Sequence, residues 1–154
     1  MAAVDFGGER FVNQFEGPHQ TGQLAEFVRA DETVQTWTKL VGFYSYPELG
    51  NDAARGAAGL VQVLKQKNLK FTILNNPKTA ETMVDFLAFS NETVEFNVFK
   101  YAPAAKGLVA AQYARRFKLG ELDADDVKAL RKRAVDEMAR FDMAPVKAHF
   151  APAR

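Results

Sequence analysis

The sequence contains no cysteine, which excludes a disulfide framework, a thiol nucleophile and any Cys-ligated zinc site. Histidine is nearly absent as well. His19 and His149 stand far apart in segments that read as loop and tail, which argues against a histidine metal site and a His-dependent catalytic triad. Charge of one sign is also lacking: 20 Lys plus Arg against 19 Asp plus Glu leave +1, too little to gather a nucleic-acid backbone. The densest basic runs, Arg115-Arg116-Phe117-Lys118 and Arg131-Lys132-Arg133, read as a strand end and a solvated helix face. No apolar run approaches the roughly 20 residues of a membrane helix. The phosphate-loop, dinucleotide, nucleophile-elbow and metalloprotease signatures are all missing, so neither a cofactor nor a metal is expected. Met1-Ala2-Ala3-Val4 carries no export-signal pattern. A signal preceding this sequence would place the chain in the periplasm or outside the cell, and without one it belongs in the cytoplasm.

What is present is the composition of a folded protein, 47% hydrophobic with 25% charged, and an excess of phenylalanine, 13 residues, that favours a sheet with an aromatic face. Three strand-like runs occupy 9–15, 23–29 and 36–46, broken by Gly17-Pro18 with Gly22 and by Ala30-Asp31-Glu32. In the third run, alternation puts Trp37, Val41 and Phe43 on one face and Leu40, Tyr44 and Tyr46 on the other, the pattern of a strand covered on both sides. Pro47 ends it. Asp52 then caps a helix to about Asn68, with Ala53, Ala57, Leu60, Val61 and Leu64 as its apolar stripe. Four further strands are expected at 70–74, 81–89, 93–101 and 108–118. A last helix begins at Asp123 and buries Val127, Leu130, Ala134, Met138 and Phe141. The fold class is therefore α+β: an antiparallel sheet of about six or seven strands in βββ-α-ββββ-α order, flanked by two helices. Residues 1–143 form a single domain, and 144–154 are expected to be a mobile tail.

Two constellations bear on function. A turn at Asn91-Glu92 that pairs Phe89 with Val94 sets Asp85 opposite Val98, on an apolar face with Met83, Leu87, Phe96 and Lys100. A carboxylate in that position is either held by a diagonal salt bridge to Lys100 or available for proton transfer. On the opposite face, pairing Tyr101 with Leu108 brings Asn97 opposite Gln112 and sets Glu95 diagonal to Arg116, a polar ladder. Such a ladder suits a ligand or partner, and equally a solvated half of the sheet. Trp37, Tyr44 and Tyr46 are the aromatics with a polar handle that binding surfaces favour.

Residues 26–38, an extended run followed by the acidic turn Asp31-Glu32 and the pair Trp37-Thr38, resemble a segment of small exported bacterial proteins of uncharacterised function. The element order is similar to the PsbP-like fold. That resemblance implies a non-enzymatic assembly or binding protein and carries over no catalytic residue. The expected function is thus a binding or accessory protein, of the bacterial envelope if exported, that contacts a partner protein through one face of the sheet, with Trp37, Tyr44, Tyr46, Asp85, Glu95, Asn97, Gln112 and Arg116 as the candidate ligand- or partner-binding residues. The alternative is a small-ligand carrier or an enzyme with a carboxylate site around Asp85.

Overall fold

A computed structural model describes residues 1–20 and 22–152. Its strands are β1 (Ala3–Phe6), β2 (Glu9–His19), β3 (Gly22–Val28), β4 (Lys39–Tyr46), β5 (Phe71–Asn76), β6 (Glu81–Ser90), β7 (Thr93–Pro103) and β8 (Leu108–Lys118). The helices are α1 (Ala53–Gln66), between β4 and β5, then α2 (Ala124–Arg140) and α3 (Ala144–His149). All eight strands form one antiparallel sheet in the order β1-β2-β3-β4-β8-β7-β6-β5. Two four-strand meanders therefore meet by their last strands, and α1 carries the chain from the middle of the sheet to its far edge. Its length matches that span, since 14 residues of helix run about 21 Å, and β4 to β5 is four strand spacings, about 19 Å.

The sheet has a core on each face. On one, α1 buries Ala53, Ala57, Val61 and Leu64 against Val84, Tyr101, Leu108 and Ala110. On the other, α2 and α3 bury Leu130, Ala134, Met138 and Val146 among Phe11, Phe27, Phe43, Phe96 and Val98. Phe6 of edge strand β1 stacks on Tyr113 of β8 with ring centroids 4.6 Å apart. A flat sheet would hold those strands about 19 Å apart, so the sheet curls around the α2 and α3 core. Met138 and its neighbours at the end of α2 also hold Lys100, whose buried Nζ donates to the carbonyls of Met138, Ala139 and Phe141 at 3.0, 3.3 and 2.7 Å. A cation among the last carbonyls of a helix is favoured by the helix dipole and satisfies groups that have no partner within the helix.

Several expectations are corrected. The sheet has eight strands, and the order is ββββ-α-ββββ-αα. The additional β1 is only four residues long and turns into β2 through Gly7-Gly8, both at positive φ, too short a run to show alternation. β2 continues through Gly17-Pro18 because beyond Val12 it no longer pairs with β1, and an edge strand tolerates a proline. Residues 144–149 form α3 with Val146 in the core, where a tail was expected; Ala153 and Arg154 lie outside the described residues. Pro145 in the first turn of α3 is a helix start, since its missing N–H has no partner to lose there.

Candidate functional site

The face that carries α1 is open where the helix does not cover it. Ala110 explains how aromatic residues gather there. It lies opposite Tyr44 on one side and Tyr101 on the other, and its small side chain lets rings from β4 and β7 meet above β8. Tyr44 and Tyr46 stack at 6.2 Å, Tyr46 and Tyr101 at 6.1 Å, and Tyr44 leans on Phe99 at 5.8 Å. His19, at the end of β2, meets Tyr44 edge-on at 5.3 Å. Together with Gly59 and Leu60 of α1 these rings line a groove of about 470 Å³, with Arg55 on its rim. Burial lifts the Tyr44 and Tyr101 hydroxyls well above the ordinary phenol range and pushes Tyr46 up to about 12, so all three stay protonated hydrogen-bonding groups.

From Tyr44 a continuous polar line crosses the face. The Tyr44 hydroxyl donates to Gln112 Oε1 at 2.6 Å, and Gln112 Nε2 donates to Asn97 Oδ1 at 2.8 Å. Asn97 Nδ2 donates to Glu95 Oε1 at 3.3 Å, Glu95 pairs with Arg116 at 3.5 Å, and the Arg116 guanidinium lies 3.8 Å above the Trp37 ring. Gly42, opposite Gln112, makes room for that glutamine: a Cβ there would stand 2.9 Å from its Oε1. Glu26, on the neighbouring strand opposite Gly42, is partly buried, and desolvation raises its carboxyl above the usual range.

All the residues expected at a site, apart from Asp85, lie on this one face, although the expected register of the ladder and the expected face of Trp37 need correction. The β7–β8 register pairs Tyr101 with Ala110, two residues from the expected partner, so Glu95 stands directly opposite Arg116 and Asn97 diagonal to Gln112. β7 runs on to Pro103, and the turn is tightened by Gly107 at φ +71°, with Ala104 N–H donating to Gly107 O at 3.0 Å. A two-residue shift preserves the face, so the ladder survives the error. Trp37 lies on the opposite face from the one alternation assigned, buried with Val28, Leu40 and Ala114. The reason is that β4 begins at Lys39 and residues before it turn, so a strand period does not extend back to Trp37.

Asp85 lies elsewhere, on the α2 face and opposite Val98 as expected, but its cation is Arg131 of α2. Arg131 Nε and Nη2 donate to Asp85 Oδ1 and Oδ2 at 2.7 and 3.1 Å, a two-pronged pair that sequence spacing within one hairpin has no means of revealing. Lys100 is engaged with the α2 carbonyls and with Glu81 at 3.4 Å. Sequence reasoning also missed His19, Phe99, Tyr101 and Gly59. For Phe99 and Tyr101 a signal existed, since both sit at even spacing from Asn97 on β7; His19 and Gly59 reach the groove only through the fold.

A protein-family model matches residues 2–145. The chain belongs to that family. The matched span includes every strand, α1 and α2, and with them the whole aromatic groove and the polar line. No curated protein and no solved structure matches the chain. Among the described residues, no helix is long and apolar enough to cross a membrane.

A larger hollow of about 780 Å³ lies between α3 and the β4 end, lined by Glu16, Ser45, Lys106 and His149. In the groove beneath α1, aromatic rings from three strands and the tyrosine hydroxyls converge. That groove is the stronger candidate.

Proposed function

We propose that this chain is a non-enzymatic binding protein that holds a segment of a partner protein against the α1 face of its sheet, with side chains of that segment seated in the aromatic groove. The observation that carries this reading is continuity. The groove formed by His19, Tyr44, Tyr46, Phe99 and Tyr101 runs through the Tyr44–Gln112 hydrogen bond into the polar line ending at Trp37. An apolar hollow rich in tyrosine beside satisfied polar groups has the composition of a recognition surface, and nothing in it is arranged as an acid, base and nucleophile. On this reading the chain is a PsbP-like accessory protein, of the bacterial envelope if it is exported. A small-ligand carrier is the second reading, favoured by a groove volume of about 470 Å³, within the usual range of small-molecule pockets.

Gly59 supplies the test. No atom lies within 4 Å of a Cβ built there, so Gly59→Leu extends into the groove without entering the core. Peptides selected from a random displayed library on the wild-type protein should bind Gly59→Leu at least ~10-fold more weakly, at a melting temperature no lower than the wild type's, since leucine is the better helix former. Selected peptides that bind both proteins equally would refute the groove as the binding site. Small aromatic fragments bound in the groove, with no peptide recovered from the library, would favour the carrier.

A further inference from the structure

The two edges of the sheet are built differently. At one edge β1 is four residues long, and β2 runs past it with a bulge between Asn13 and Phe15, the charge of Glu16 and the ring of Pro18. Each feature discourages a further strand: the bulge interrupts the register, the proline lacks an N–H, and the charge is costly to cover. β5, at the other edge, has none of these. Phe71–Asn76 pairs with β6 in unbroken register along one side, and alternate residues turn N–H and C=O outward on the other. Its six residues include no charge and no proline. Ile73 and Leu74 are 42% and 47% exposed, one on each face of the sheet, since they lie opposite Val84 and Met83.

We propose that β5 is a homodimerisation strand: two copies of this chain pair β5 antiparallel about a two-fold axis perpendicular to the sheet and join their sheets edge to edge. A second copy is the partner that fits, because an uncharged strand offers a charged one nothing to pair with, whereas another β5 presents the same aliphatic centre and amide end. Symmetry and side-chain matching then select the register. The axis must pass through a pair made of one residue and its own counterpart. Centred on Leu74, it sets Ile73 opposite Asn75 and Thr72 opposite Asn76, which leaves Ile73 against an amide. Centred on Ile73, it sets Ile73 opposite Ile73 and Thr72 opposite Leu74, so both exposed aliphatic side chains are covered. Ile73 then covers Ile73 on the α1 face, and Leu74 covers Thr72 on the α2 face. A strand pair this short buries little surface, so the dimer is weak and dissociates on dilution.

Sedimentation of the wild-type chain over a dilution series should show a mass rising toward twice 17.1 kDa. Ile73→Lys, or Leu74→Lys if the first fails to fold, should stay monomeric with a wild-type melting temperature, while Phe15→Lys at the other edge should dimerise as the wild type does. Because the chain has no cysteine, single-cysteine variants read the register directly. Under mild oxidation Ile73→Cys should cross-link about tenfold faster than Leu74→Cys, whose sulfurs lie diagonal to one another beyond easy disulfide reach. A wild-type chain that remains monomeric through ~100 µM, or a dimer indifferent to both lysine substitutions, overturns the proposal. Faster cross-linking at position 74 overturns the Ile73-centred register.

Discussion

Glu32 carries the loop that presents Trp37. Its carboxylate accepts from the Thr38 amide at 3.1 Å, the Thr38 hydroxyl at 2.7 Å and Arg29 Nη2 at 3.1 Å, and this ring of donors closes residues 32–38 into a fixed turn. Burial pushes the Glu32 carboxyl up, but the hydrogen bonds from Arg29 and Thr38 and the charge of Arg29 outweigh it and hold the group at about 2, below its ordinary 4.5. A carboxyl whose folded value is depressed stabilises the protein above its unfolded value and loses that contribution as pH falls through the folded one. Wild-type stability attributable to Glu32 should therefore be complete above pH 4.5 and decline toward pH 2. Glu32→Gln, followed by urea unfolding across that window, should show a flatter acid dependence; identical slopes would show that Glu32 does not carry it. The sequence made the parts of this turn visible as an acidic pair followed by Trp37-Thr38. It did not make visible that the turn moves Trp37 to the other face, because a side chain six residues away supplies the hydrogen bonds that end the strand period.

Asp85 makes the same point about long-range partners. Its place opposite Val98 followed from a two-residue turn, yet its cation comes from α2, 46 residues along the chain. The pair is half sheltered, with the Asp85 side chain 6% and the Arg131 side chain 44% exposed. Arg131→Ala leaves the carboxylate without its donors and should cost about 1–3 kcal/mol in urea unfolding, the usual range for a charged hydrogen-bonding group left unpaired. The same variant should leave peptide binding at the groove unchanged. A loss of binding with stability intact would return Asp85 to the functional residues.

Among the elements, α2 is the one whose end depends on the sheet. Lys100 of β7 reaches under it and donates to two of its terminal carbonyls and to that of the C-cap residue Phe141, while the capping box of Asp123 and Asp126 secures its start. Lys100→Met keeps the length of the side chain and removes every donor, and is expected to cost about 3–5 kcal/mol, as for breaking a buried ion pair. Hydrogen exchange should quicken in the last turn of α2 more than in α1. A loss below about 0.5 kcal/mol would mean that the carbonyls find water instead. Helix faces were the most legible level of the sequence: Leu64, Leu130 and Met138 are buried as the 3.6-residue period indicates. Strand ends were less legible. Short β1 shows no period, and α3 carries Pro145 in its first turn, a residue that read as the start of a tail.

For the whole molecule, the two-meander topology sets the candidate site. Bringing β4 beside β8 places Tyr44 and Tyr46 across Ala110 from Tyr101 and Phe99, and it links strands whose sequence positions lie more than 60 residues apart. That adjacency was not readable from local pattern, since each meander is complete by itself and nothing in either names its neighbour. The polar ladder within β7 and β8 was readable, because one loop joins them. Whether the groove beneath α1 is where this protein binds can be decided by NMR of the labelled protein, titrated with a set of small aromatic and aliphatic fragments. Shifts should concentrate at the Gly59 amide and the rings of Tyr44, Tyr46, Phe99 and Tyr101, and should be lost in Gly59→Leu. Shifts confined to the hollow beside α3 or to the surroundings of Asp85 and Arg131, with the groove resonances unmoved, would rule the groove out.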